Sequence, residues 1–154
     1  MLRDTISGSK GSSLFRQDPV TGILLFYDNS RSMYISADRE TFKFGIDHRT
    51  LYNSIWMKIT GGVNSLTNGY LISRNAIITC LSISTQNSDT NCIFRVKSNI
   101  SNPDLTTIPL IGSSSNTIDN LSININSGDY LRVYADIISD KIEFPEMLIE
   151  IAWR

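Results

Sequence analysis

Apolar and polar residues alternate with a period of two through most of the chain after residue 69. The clearest case is Ile118 to Ile137. Leu121, Ile123 and Ile125 alternate with polar residues, then Leu131, Val133, Ala135 and Ile137 do the same beyond an Asn-Ser-Gly-Asp turn. This spacing predicts a β-hairpin, with Ile125 opposite Leu131, Ile123 opposite Val133 and Leu121 opposite Ala135. A one-residue slip would expose one strand's whole apolar set, so the register is well specified.

Other stretches carry the same signal. Ala76 to Ser84 predicts a strand on which Ile77, Leu81 and Ile83 share a face. Cys92, Phe94 and Val96 alternate with Ile93, Arg95 and Lys97, as in a strand buried on one side. Leu105 to Ile111 predicts a strand that Pro109 confines to an edge or a strand end. Met147, Ile149, Ile151 and Trp153 mark a last strand reaching the end of the sequence. Such strands, joined by Gly, Asn, Ser and Asp loops, predict an all-β fold, a β-sandwich over residues 70–154.

The first 69 residues read differently. Residues 1–13 are rich in Gly and Ser and lack an apolar period, which predicts an extended N-terminal arm that orders only against a partner. Residues 14–45 predict a small β unit. Asp18 to Gly22 is a turn, Ile23 to Tyr27 a strand, Asp28 to Arg31 a second turn, and Met33 to Ile35 a second strand. Phe42 and Phe44 then alternate with Lys43. With Phe15, Phe26, Tyr27, Tyr34, Phe42 and Phe44, this unit carries too many rings to stand alone and needs another surface, in this chain or another. Residues 46–69 form a connector. His48, Leu51, Tyr52, Ile55, Trp56 and Ile59 have a partial helical spacing that also fits extended chain.

Composition narrows the function. At 154 residues the chain is long enough for one sizeable core. A net charge of −1, without a basic run, argues against a nucleic-acid partner. No apolar run approaches the roughly 18 residues of a membrane span, so no membrane association is expected. The first residues lack a signal peptide's apolar stretch, which predicts synthesis in the cytoplasm. Charged residues make up 19%, below the usual share of about a quarter, and Ser, Thr and Asn take their place.

The search for chemistry returns little. His48 is the sole histidine and lies in a loop-like stretch without a nucleophile elbow. No calcium loop or phosphate-cradling Gly-rich loop is present. Cys80 and Cys92 are expected on neighbouring strands but out of register, which disfavours a disulfide, and no second ligand pair suggests a metal. No catalytic, cofactor or metal residue is therefore expected. The best binding candidates are Trp56, Tyr70, Tyr130 and Tyr134. Tyr130 and Tyr134 share a face with Arg132 and Asp136. An aromatic and charged face fits a second packed layer, a subunit interface or a sugar platform, and Tyr, Trp and Arg are favoured at interfaces. The subunit-interface candidates are these residues with Phe15, Phe26, Tyr34, Phe42 and Phe44.

Two regions resemble a known group. Asp18 to Asp28, Arg31 to Ser36 and Arg39 to Gly45 form the first. Gly69 to Thr79, Gly128 to Leu131 and Ile149 to Arg154 form the second. Together they resemble small virion structural proteins of tailed bacteriophages, of the head-decoration and tail-tip kind. The later region is also similar to the jelly roll of complement globular heads and tumour-necrosis-factor-like proteins. The resemblance implies a trimer with flat sheet faces against a three-fold axis, and it brings no catalytic residues. The first expectation is a capsid decoration or cement protein, located in the virion with the major capsid protein or another virion protein as partner, whose residues 1–45 anchor it to the shell or bind subunits together. The alternative is a tail-fibre or tail-tip module that binds a host glycan through exposed Tyr or Trp and loop Asn and Asp. A polysaccharide-cleaving enzyme ranks third.

Overall fold

Runs of β-branched and aromatic residues become strands throughout the computed structural model, and none of the described residues is helical. The structure describes residues 14–19, 22–46, 50–60, 62–87, 90–99, 103–139 and 141–154. The expected arm over 1–13 and His48 lie outside them, as do Val20, Thr21, Asp47, Arg49 and Asp140.

The strands in chain order begin with β1 (Phe15–Gln17), β2 (Leu24–Asp28), β3 (Met33–Ser36) and β4 (Arg39–Gly45). Short strands follow: β5 (Thr50–Leu51), β6 (Ile55–Trp56), β7 (Lys58–Ile59) and β8 (Tyr70–Leu71). The long β9 (Ala76–Ser84) and β10 (Asn91–Lys97) precede β11 (Thr106–Ile111), β12 (Ser115–Ile118) and β13 (Ile123–Ile125). The last are β14 (Tyr130–Ser139), β15 (Ile142–Glu143) and β16 (Glu146–Trp153).

Two antiparallel sheets form a sandwich. In the first, β12 and β13 lie end to end along β9, followed by β16, β4 and β7. In the second, β11, β10 and β14 run side by side, and β6 and β8 both lie along the far edge of β14. The core fills the space between them. Phe94, Val96, Leu131 and Val133 come from the second sheet, and Ile78, Leu81, Ile149 and Ile151 from the first. Burying each such side chain contributes about 1.5–3 kcal/mol. The alternation expected for Cys92, Phe94 and Val96 and for Met147 to Trp153 holds, and β11, with Pro109, is an edge strand.

The hairpin expected over 118–137 does not form. β13 pairs with β9 in the first sheet, whereas β14 pairs with β10 in the second. The turn at 126–129 therefore carries the chain from one sheet to the other. Ile125, Leu131, Val133 and Ala135 are still buried, because an arch across a core presents its apolar side chains inward just as a hairpin does. The turn is tied to residues 72–75 instead. Gly128 N donates to Ile72 O, Ile72 N to Asp129 O, and Ser127 N to Asn75 Oδ1.

A second correction concerns β9. Cys80 faces Glu150 and Ile78 faces Ile151, so Thr79 is an extra residue, a β-bulge. It reverses the alternation, and Ile77 points out of the sandwich while Leu81 and Ile83 point in. Cys80 and Cys92 also fall on different sheets, not on neighbouring strands, and both thiols are free.

The expected boundaries at 45 and 69 cut through the sandwich. β4 pairs with β16 along seven residues, from Arg39 opposite Ala152 to Gly45 opposite Glu146. β6 and β7 of the expected connector join one sheet each. What remains of the small unit is a three-stranded sheet, β1-β2-β3, laid on the outside of the first sheet. Its Ile35, with Phe26 and Met33 against it, covers Ile77 and Ala152. The bulge thus supplies an apolar patch on the outer face, and the small sheet buries it.

Candidate interaction surfaces

The outer face of the second sheet gathers several of the expected residues. Tyr134 stands opposite Trp56, and their rings are 5.2 Å apart at 60°. On the other side Tyr134 stands opposite Arg95. Arg95 Nε and Nη2 donate to Asp136 Oδ2 at 3.1 and 2.7 Å, and Nη1 donates to Asp104 Oδ2 at 2.8 Å. Lys97 Nζ reaches Asp104 Oδ1 at 2.7 Å. Burial alone would raise the Asp104 carboxyl, but hydrogen bonds and charge from Lys97 and Arg95 together hold it below its ordinary value. The hydrogen bonds that Arg95 donates to Asp104 and then to Asp136 raise the Arg95 guanidinium in turn. Two cations and two carboxylates satisfy one another, so this patch is a neutral polar surface with aromatic rings beside it.

Arg132 has a different role. It is 7% exposed, and its Nη1 donates to the carbonyls of Ser65 and Leu66. Its guanidinium lies over the Tyr130 ring at 5.2 Å. Together with Ser65 Oγ, which donates to Val133 O, it fastens the 62–69 loop onto β14. Gly69 permits that approach, since a Cβ there would sit 2.5 Å from Leu131 O. Arg132 is thus an internal tie and not an interface side chain.

Four more of the expected interface residues are packed within the chain. Phe44 is 0% exposed and Phe42 8%. The Tyr70 ring packs on both, at 5.3 and 4.8 Å, and its hydroxyl lies within hydrogen-bond distance of Thr60 and Lys43. Phe26 is packed on the patch under the small sheet. The residues left for contact with another molecule are Phe15, Tyr34, Trp56, Tyr130 and Tyr134.

Phe15 has the most exposed ring of these, at 46%, and Leu14 and Leu24 beside it are 49% and 61% exposed. Phe15 stands opposite Phe26 and Gln17 opposite Leu24, so Phe15 and Leu24 share one face of the small sheet. Among the described residues β1 is an edge strand of that sheet. Sequence alternation alone did not single out Leu14 or Leu24, because the Leu14-Phe15 pair and the unbroken apolar run from Ile23 to Tyr27 carry no period of two.

Among the described residues no three His, Cys, Asp or Glu side chains come together to hold a metal. Burial, with the Asp136 charge, pushes the Cys92 thiol up to about 12, so it behaves as a small apolar side chain. No helix is long and apolar enough to cross a membrane among the described residues.

No family model matches this chain, and no curated protein matches it. Solved structures similar to it include the PRD1 vertex protein P5, at 13% identity and a TM-score of 0.44, covering 73% of this chain and 95% of that one. FlhE is similar at 11% identity and a TM-score of 0.38, covering 77% of this chain and 99% of that one. At this level of likeness neither neighbour carries its role to this chain.

Proposed function

We propose that the chain is a structural protein of a tailed-bacteriophage virion, a capsid decoration or cement protein that assembles as a trimer. The sandwich serves as a jelly-roll-like head, and residues before it attach to the major capsid protein. The observation that carries this reading is the exposed apolar group Leu14, Phe15 and Leu24 on the small β1-β2-β3 sheet, close after a Gly/Ser-rich segment of the sequence. Clustered exposed apolar side chains mark a contact surface. The motif resemblance in 18–45 and 69–154 supports the same reading. Attachment stabilises a shell by linkage, since a protein that binds only the assembled form shifts the equilibrium toward it.

The test replaces Phe15 and Leu24 by Ser in the full chain and measures co-sedimentation with shells lacking the protein. Both side chains are largely exposed, so the fold should melt within a few degrees of the parent. Retention on shells should fall at least about tenfold, the equivalent of about 1.4 kcal/mol of lost contact. Retention equal to the parent's would overturn the anchoring role.

A further inference from the structure

The small sheet and one end of the sandwich enclose a cleft of about 550 Å³, within the range of small-ligand sites, about 300–1,000 Å³. Arg16 and Tyr34 line it from the small sheet, Asn124 and Asn126 from the end of β13, and Asn75 and Arg154 from the flanks of β9 and β16. These groups are held in place by the protein. The Arg16 guanidinium lies 4.3 Å from the centre of the Tyr34 ring, which packs edge-on against Tyr27 at 5.1 Å. Arg154 Nη1 donates to Asn124 Oδ1 at 2.6 Å, and Ser127 N donates to Asn75 Oδ1 at 2.9 Å. With both amide oxygens engaged, the amide nitrogens of Asn75 and Asn124 donate to no protein atom among the described residues.

We propose that this cleft binds an acidic saccharide. Guanidinium groups match a carboxylate in planar, charge-assisted hydrogen bonds, and Arg16 and Arg154 supply two. Asn side chains carry both donors and acceptors, which suits sugar hydroxyls. Asp18 also lines the cleft and brings a negative charge to it. That carboxylate offsets one of the two arginines, which disfavours a compact dianion such as phosphate and favours a ligand with one negative charge and many hydroxyls. Little of the lining is apolar, which disfavours a hydrophobic ligand. The site goes beyond the assembly role, and neither depends on the other.

Titration calorimetry on the full chain tests it, with trigalacturonate and sialyllactose as acidic probes and galactotriose and inorganic phosphate as comparisons. At least one acidic probe should bind, and galactotriose should bind at least about tenfold more weakly, as loss of a charge-assisted contact implies. Phosphate should give no saturable heat. Arg16→Gln should weaken the acidic probe about tenfold, and Asn126→Ala should weaken it less. Both positions are exposed, so if one variant fails to fold the other still gives the reading. Lys141→Gln, which lies outside the cleft lining, should bind as the parent does. Failure of both acidic probes, phosphate binding as tight as theirs, or parent-like affinity in Arg16→Gln would each overturn the proposal.

Discussion

Arg31 is the side chain on which the attachment of the small sheet turns. It sits in the β2–β3 turn, nearly enclosed, with its side chain 9% exposed. Nη1 donates to Asp28 Oδ2 at 2.6 Å, Nε to Leu121 O at 2.5 Å, and Nη2 to Thr79 O at 3.4 Å. Thr79 is the bulge residue of β9, whose carbonyl also accepts from Leu121 N at 3.0 Å, and Leu121 lies in the gap between β12 and β13. One guanidinium thus bridges the small sheet to the place where the ladder is interrupted, and Asp28 neutralises it. Arg31→Ala should cost on the order of 3 kcal/mol, because it removes the charged donor to Asp28 Oδ2 and to the Leu121 carbonyl at a nearly enclosed site, and denaturant unfolding would read it. Arg31→Lys should recover only part, since an ammonium cannot reproduce the fork. The same pair sets an acid limit. The Asp28 carboxyl is held at about 2, below its ordinary 3.8, chiefly by the Ser30 hydroxyl and then by Arg31, against the opposing effect of burial. A depressed carboxyl stabilises the fold fully above its unfolded value, and this contribution is lost as pH falls from about 4 through about 2. Melting temperatures of the parent and Asp28→Asn should therefore differ near pH 6 and converge toward pH 2, with a gap on the order of 1 kcal/mol after screening. A constant gap across that range would refute the assignment.

Strands were legible where a period of two persisted over several residues, and partners were not. The run from Leu121 to Ala135 shows why: apolar spacing records which side of a strand is buried, not which sheet the strand joins. Hairpin and arch leave the same record, and the choice between them is made by Ile72 and Asn75, which grip the turn from 50 residues away. Thr79 shows a second limit. A bulge shifts the alternation by one, and Ile77 then reads as a core residue of the wrong layer. The aromatic candidates divided for a related reason. Phe42 and Phe44 sit on a central strand, whereas Phe15 sits on an edge, and a ring's identity says nothing about its strand's neighbours. Gly69 tests the packing of these elements against each other. A methyl group there would overlap Leu131 O at 2.5 Å and Arg132 Cγ at 2.9 Å. Both belong to β14, a strand fixed by β10 on its other side, so the 62–69 loop must lift instead. Gly69→Ala should destabilise by about 1–3 kcal/mol and raise amide exchange at Ser65, whose N donates to Met57 O, and at Met57, whose N donates to Val133 O. Unchanged exchange at both amides would show that the loop has slack.

At the scale of the whole molecule the layers explain why an attachment segment and a head can be separate parts. The sandwich closes its own core, and the small sheet spends one face covering Ile77 and Ala152. The small sheet also carries exposed apolar side chains, Leu14 and Phe15 at its β1 edge and Leu24 on the neighbouring β2. If that edge serves attachment and the sandwich faces serve trimer formation, the two should fail independently. A chain lacking residues 1–13 keeps every strand described above, so it should melt within a few degrees of the parent. Its mass by light scattering should stay at three times the 17.3 kDa chain mass while its retention on shells falls. Trp56→Ser with Tyr134→Ser, on the neutral aromatic face of the second sheet, should act in the opposite way, lowering the mass toward one chain at micromolar concentration. Because a trimer's stability rises with concentration, the parent's melting temperature should climb on dilution's reverse, by a few degrees per decade, and the double variant's should not. A parent that stays at 17.3 kDa over the whole concentration range would remove the trimer and leave attachment through the β1 edge as a property of the single chain.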